Sequence, residues 1–188
     1  MELRWPSEVE LPSYVDALER GWSPNTIDAA AGRAELREIG HDPVAFVASL
    51  VDRDAAGPAI RLPDGTTAER LPGFRKWMWD GEFCGSIGVR WRPGTEELPP
   101  HVLGHVGYSV VPWKRRLGYA TAAVLAVLPD AAAEGLRWIE VTTDVDNLAS
   151  QRVVERAGGV LVERFAYPVA FGAGEGLRYR ISTLPRGA

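Results

Sequence analysis

Apolar residues recur at helical intervals in "ELPSYVDALERGW" (10–22), where Pro12 and Ser13 suit a first turn, so the pattern predicts a short helix. The stretches "NTIDAAAGRAELREIG" (25–40) and "DPVAFVASLVDRDAAG" (42–57) predict two more, each ending at glycine. The second opens on Asp42 as N-cap with Pro43 at the first helical position. Residues 61–73 are dense in turn chemistry, led by Pro63-Asp64-Gly65, and read as a loop or irregular hairpin. The aromatic and β-branched runs of "FRKWMWDGEFCGSIGVRW" (74–91) break at Asp80-Gly81, the signature of a β-hairpin. From residue 104 the period alternates. Strands over 104–111, 137–145 and 159–167 are separated by helices over 118–135 and 147–158. This layout predicts a mixed α/β fold with helices on both faces of a six- or seven-stranded sheet, antiparallel at its start. It becomes parallel where 104–111 meets 137–145 through a right-handed crossover. Pro129 lies inside the first of these helices and costs it a hydrogen bond, about 3 kcal/mol, which predicts a kink or a restart.

Composition narrows the picture to one ordinary globular domain: 188 residues, 46% hydrophobic and 24% charged, with no internal repeat. A net charge of -4 and a pI near 5.5 argue against nucleic-acid binding through a general basic face. The single cysteine, Cys84, cannot close an intrachain disulfide and has no His or Cys at metal-ligand spacing, so no metal is expected and a reducing compartment is. Residues 1–20 carry Glu2, Glu8, Glu10, Asp16 and Glu19 without an apolar segment, and no window approaches the ~20 apolar residues of a bilayer span. The expected setting is cytoplasmic, away from membranes.

Within this acidic chain, "VPWKRRLGYAT" (111–121) puts three consecutive cations and a glycine where a strand turns into a helix. Unpaired N–H groups and the positive end of the dipole make a helix N-terminus an anion site. Gly118 lets a bulky anion approach the backbone, and Arg115 and Arg116 add charge-assisted donors. The carboxyl end of a strand in an α/β sheet is also where phosphate-bearing ligands bind. The alternative is a solvated turn. Neither G-x-x-x-x-G-K-[ST] nor G-x-G-x-x-G occurs in the chain, which excludes a P-loop and a dinucleotide fingerprint.

The segment resembles the pyrophosphate loop of the GNAT acyl-CoA N-acetyltransferases, [QR]-x-x-G-x-[GA], with Arg115, Gly118 and Ala120 in its fixed positions. "DNLASQRVVERAGG" (146–159) resembles that family's N-x-x-S-x-x-x-x-x-x-x-G helix, with Asn147, Ser150 and Gly158 in place. The likeness runs from about 74 to 165 and is closest to a subgroup of small bacterial acetyltransferases. It implies a GNAT-type sandwich whose two parallel central strands, 104–111 and 137–145, splay apart to admit the pantetheine arm of acetyl-CoA, the co-substrate. By this likeness the backbone of Val110 and Val111 holds the pantetheine. Arg115, Arg116, Leu117, Gly118, Tyr119, Ala120 and Thr121 cradle the pyrophosphate, and Asn147 and Ser150 contact the cofactor. A plain N-cap is the other reading of Asn147. The whole chain, 1–188, is then one N-acetyltransferase domain: a helical acceptor-side region over 1–73, and the sheet and acetyl-CoA-binding core over 74–183.

Direct attack of an amine on a thioester needs a group to take the amine's proton, a donor for the oxyanion, and a source of a proton for the thiolate. The resemblance implies a tyrosine acid seven residues after the Asn, but Val154 stands there, which leaves Tyr108, Ser150 or water. His105 is the candidate base by its place on the first splayed strand and its pKa range; a core histidine satisfied by backbone is the alternative. Glu140, Asp144 and Asp146 are rival bases. Trp77, Trp79, Trp91 and Trp113 either line an acceptor pocket or pack in the core. The expected acceptor is a primary amine of a small molecule or a protein. Asp80, Glu82, Asp144 and Asp146 hint at a cationic one, and a homodimer stays open as the assembly. Two other readings stand beside the enzyme: a non-catalytic acyl-CoA-binding or sensing module on the same fold, and an α/β phosphate-ligand binder unrelated to CoA.

Overall fold

A computed structural model describes residues 1–25, 30–62 and 64–184. A short strand β1 (Glu2–Arg4) leads into helices α1 (Leu11–Glu19), α2 (Ala30–His41) and α3 (Pro43–Ser49). Three two-residue strands follow, β2 (Val51–Asp52), β3 (Ile60–Arg61) and β4 (Thr67–Ala68), then β5 (Gly73–Trp79), β6 (Phe83–Arg90) and β7 (Val106–Val110). The last third alternates α4 (Tyr119–Ala133), β8 (Trp138–Asp144), α5 (Leu148–Arg156), β9 (Val160–Ala166) and β10 (Glu175–Ser182).

Local chemistry accounts for most of these boundaries. Asp42 caps α3, its carboxylate accepting the Ala45 N–H at 2.9 Å, and Pro43 occupies the first turn. The helix stops at Ser49 rather than running to Gly57, because Val51 and Asp52 pair with Phe74 and Gly73. The Asp52 carboxylate then ties off the next turn by accepting the N–H groups of Ala56 and Gly57 at 2.8 and 3.1 Å. Helix α2 ends at His41, one residue past the expected glycine; 26–29, the start of that expected helix, lie outside the described residues, as does Pro63 of the expected turn. Ile60–Arg61 and Thr67–Ala68 pair as β3 and β4, and Asp80-Gly81 turns β5 into β6, with Gly81 at φ 111°. Pro129 neither ends nor restarts α4, which continues to Ala133. The carbonyl it leaves without its helical donor is that of Leu125, an exposed residue.

The strands form two main sheets. The first has the order β1-β5-β6-β7 with β2 also on β5, the second β8-β10-β9, and all their pairings are antiparallel. The expected parallel pairing of β7 with β8 is reduced to one contact at their base. There the His105 N–H donates to the Glu140 carbonyl at 2.8 Å and the Glu140 N–H to His105 Nδ1 at 3.0 Å. Gly104 permits this approach, since a Cβ on it would lie 2.9 Å from the Glu140 carbonyl. No ladder joins 106–110 to 141–144, so the two strands splay above the pin.

One core cluster unites the sheets, containing Ile87, Val89 and Val106 of the first, Ile139, Val141, Tyr179 and Ile181 of the second, and Val124, Val127 and Val154 of α4 and α5. A second cluster on the opposite face of the first sheet gathers Leu11, Tyr14, Trp22, Phe46, Trp77 and Phe83 beneath α1–α3. Trp77 and Trp91 are core residues here, and Tyr14 stacks on Trp77 with ring centroids 4.8 Å apart. The outer face of the second sheet, with Glu140, Arg178 and Arg180, forms a groove of about 710 Å³.

Candidate active site

The turn between β7 and α4 is built around two left-handed residues, Arg116 at φ 65° and Gly118 at φ 79°. A non-glycine residue there carries strain of roughly 1–2 kcal/mol, and such strain gathers where the backbone must present its N–H groups to a ligand. The first bond into α4 runs from the Ala122 N–H to the Gly118 carbonyl at 3.0 Å. Among the described residues no backbone acceptor takes the N–H groups of 116–121, and an added Cβ on Gly118 would meet nothing within 4 Å. The cradle is therefore open, and its donors suit a diphosphate. Of the three cations, Lys114 is held at 3.1 Å by both Asp80 carboxylate oxygens and at 2.8 Å by Glu82. Arg115 Nε donates to the Val110 carbonyl at 3.3 Å. The Tyr119 hydroxyl donates to Asp80 at 2.5 Å and is the first cause of that carboxyl being pulled down to about 2; Cys84 and Lys114 add to it. Asp80 thus latches the β5–β6 turn to the loop from 34 residues away in sequence, a link with no local signal. It also removes Asp80 and Glu82 from the set of free acids facing an acceptor.

Register decides which peptide groups of β7 face the splay. The Val111 N–H donates to the Cys84 carbonyl at 3.0 Å and the Arg90 N–H to the His105 carbonyl at 2.9 Å, so the His105 carbonyl, the peptide groups of 107 and 109 and the Val111 N–H turn toward β6, while the His105 N–H goes to Glu140 of β8. The peptide groups of Tyr108 and Val110 turn away from β6, into the opening. Val111, expected to help hold a pantetheine arm, has its N–H committed to β6; Tyr108 takes its place in the alternation.

The candidate proton-transfer residues fall into different environments. His105 is fully buried, and burial pushes its pKa down to about 4. Nδ1 accepts the Glu140 N–H, so the neutral ring carries its proton on Nε2, which has no partner among the described residues. This corrects its expected role: the imidazole is a strut between strands, with no basic nitrogen free. Glu140 is also corrected as a base, since its two oxygens accept from Arg178 and Arg180, each at 2.8 Å. Burial raises the Glu140 pKa, but hydrogen bonds from Arg180 and Arg178 outweigh it and hold the carboxyl below its ordinary value. Asn147 Oδ1 accepts the Ser150 N–H at 3.1 Å, an N-cap of α5. The structure brings together Tyr108 on β7 and Ser150 on α5, their hydroxyls 2.8 Å apart across the splay. Burial raises the Tyr108 pKa, so it is neutral at pH 7. Val154 is fully buried in the core. Asp144, exposed at the end of β8, accepts the Tyr167 hydroxyl at 2.6 Å, a partner that the sequence pattern does not single out. Among the described residues no three His, Cys, Asp or Glu side chains converge as metal ligands, and no helix is long and apolar enough to cross a membrane.

The profile of the Acetyltransferase (GNAT) domain matches residues 20–160. The chain belongs to this family: it is an acetyltransferase, and acetyl-CoA is its co-substrate. No curated protein matches the chain. Among solved structures it is similar to the microcin C7 self-immunity acetyltransferase MccE in complex with acetyl-CoA and AMP, at 11% identity over 96% of this chain and 91% of that one, with a TM-score of 0.62. It is similar to RimL, the ribosomal L7/L12 alpha-N-protein acetyltransferase in complex with coenzyme A, at 14% identity, 96% and 92% coverage and a TM-score of 0.61. A Salmonella typhimurium acetyltransferase that modifies the N-terminal serine of L7/L12 gives 13% identity, 96% and 93% coverage and a TM-score of 0.60. At these identities the likeness is one of fold.

Proposed function

We propose that the protein transfers the acetyl group of acetyl-CoA to a primary amine of a small molecule or protein by direct attack. The observation that carries this reading is the opening between β7 and β8, lined by the outward peptides of Tyr108 and Val110 and closed at α5 by the Tyr108–Ser150 hydroxyl pair. Acetyl-CoA supplies the acyl group as a thioester. Its diphosphate lies in the cradle of 116–121, Arg115 swings from the Val110 carbonyl to meet it, and the arm pairs with the peptides that β7 turns toward β8. The amine nitrogen bonds to the thioester carbon and the carbon–sulfur bond breaks. A β7 N–H steadies the carbonyl oxygen. Ser150 relays the Tyr108 hydroxyl proton to the leaving sulfur, Asp144 takes the proton of the amine, and exchange with solvent returns that proton to the Tyr108 oxygen. In this reading 1–73 shape the acceptor side and 74–183 hold the co-substrate.

The test is release of free CoA thiol across an amine library, with Ser150→Ala beside the wild type. A lost general acid lowers kcat by about 10²-fold, and the KM for acetyl-CoA should change far less than kcat. Wild-type turnover in Ser150→Ala removes the serine from the mechanism. Coenzyme binding without thiol release from any amine would leave a non-catalytic acyl-CoA-binding module, a reading to which the buried Val154 at the usual acid's position gives its one support.

A further inference from the structure

On the face of the first sheet that carries α1–α3, Arg75 of β5, Gly88 of β6 and Gly107 of β7 lie in register across three strands. Two adjacent positions there have no side chain, and the row ends at the splay. An added Cβ on Gly88 would approach only the Phe74 carbonyl within 4 Å, and one on Gly107 would meet only Arg90 Nη2, at 3.1 Å. The result is a trough in the sheet, floored by glycine, with the Arg90 guanidinium laid across Gly107.

The arginines around it differ from Arg90 in one respect. Arg75 pairs with Glu35 at 2.8 Å, Arg178 and Arg180 with Glu140, and Arg137 with Glu96 at 2.7 Å. Arg90 has no carboxylate partner among the described residues. The residue is exposed, yet desolvation first and the like charge of Arg75 second hold its guanidinium pKa below the ordinary value. Both hold for a side chain lining a concave wall, open to water on one side and crowded by protein on the others. A cation that is partly desolvated, repelled by its neighbour and unpaired is unfavourable in the free protein unless something else supplies the negative charge. A planar guanidinium in this setting suits a two-oxygen anion.

We propose that Arg90 is the specificity residue of the acceptor side and that the amine acceptor also carries an oxyanion, a carboxylate or a phosphate, which docks over Gly107. The proposal rests on the transfer reading above and names its acceptor class: a zwitterion whose ammonium end meets Asp144 and whose anionic end meets Arg90. It replaces the simple cationic amine that the acidic residues suggest.

The test uses the full chain saturated with CoA or acetyl-CoA, and as probes ω-amino carboxylates, aminoalkyl phosphates, and the uncharged amides and plain alkylamines of matched length. Thermal stabilisation of the CoA-saturated protein and release of CoA thiol are read separately. The carboxylate or the phosphate series should raise Tm and be turned over with kcat/KM at least tenfold above its uncharged partners; which of the two does so identifies the anion. In Arg90→Gln that ratio should fall toward one, and Arg90→Lys should recover part of it. Gly107→Ala, which crowds the guanidinium without a left-handed φ to strain, should lower the ratio while Arg90 remains. Equal stabilisation by charged and uncharged probes, or a preference that survives in Arg90→Gln, overturns the anion site even if acetyl transfer proceeds. Selective stabilisation without thiol release overturns the transfer reading and leaves the site standing.

Discussion

Gly118→Val should yield a folded protein that no longer binds acetyl-CoA. Gly118 is the N-cap of α4 in the left-handed region, at φ 79°, where a β-branched residue is strongly disfavoured. The free protein offers no steric objection, since a Cβ there meets nothing within 4 Å, so the damage to stability is the conformational strain of roughly 1–2 kcal/mol. The damage to binding is larger. Relaxing that φ rotates the N–H groups of 116–121 away from a common focus, and the added methyls occupy the space a diphosphate must enter. Losing one or two hydrogen bonds to a charged group, each ~1.5–3 kcal/mol, raises Kd by about 10²-fold or more. Titration calorimetry with acetyl-CoA, with circular dichroism as the control for folding, decides it; an unchanged Kd would remove the loop from the cofactor site.

His105 should show itself in stability and not in turnover. The unfolded imidazole has a pKa near 6.5 and the buried one is pushed down to about 4. Between those values the unfolded chain takes up a proton that the folded chain refuses, so stability falls as pH drops through 6.5 and the loss levels off near 4. The full span corresponds to about 3 kcal/mol of stability present at pH 7 and absent at pH 4. Replacing the ring by Gln should flatten that segment of the stability curve relative to wild type while leaving the pH profile of kcat unchanged. Nuclear magnetic resonance gives the direct check: the His105 ring protons should not titrate between pH 8 and 5. A titration near 6.5, or a kcat profile that loses an ionisation in the Gln variant, would return the residue to the mechanism.

The difference between base and strut marks how far sequence carried the reading. Elements set by neighbouring residues were legible: the Asp42-Pro43 start of α3, the Asp80-Gly81 hairpin, the α4 turn with its glycine, and the Asn147 start of α5. Each is specified within a few positions of itself. What failed depended on partners far away. Strand β10 is absent from the sequence reading although "RYRI" alternates; its outward arginines make sense only once Glu140 is found 38 and 40 positions back. The choice of Tyr108 over Val111 at the splay follows from ladder parity, which requires the β6 register. His105 resembles any neutral histidine on a strand until Glu140 is found to donate its N–H to it. Pro129 did not restart the helix, because the hydrogen bond it removes is one among many in a helix whose other face is packed in the core.

The division of the strands into two sheets has a thermodynamic consequence. Each sheet alone would be a separable folding unit, yet Val124, Val127 and Val154 belong to a single apolar cluster with residues from both. Opening either sheet exposes that shared cluster, so a half-unfolded molecule loses the burial without recovering the chain entropy of the half still folded. The transition in a scanning calorimeter should therefore be one cooperative step, with the calorimetric and van't Hoff enthalpies equal, even though the backbone ladder between the sheets is interrupted.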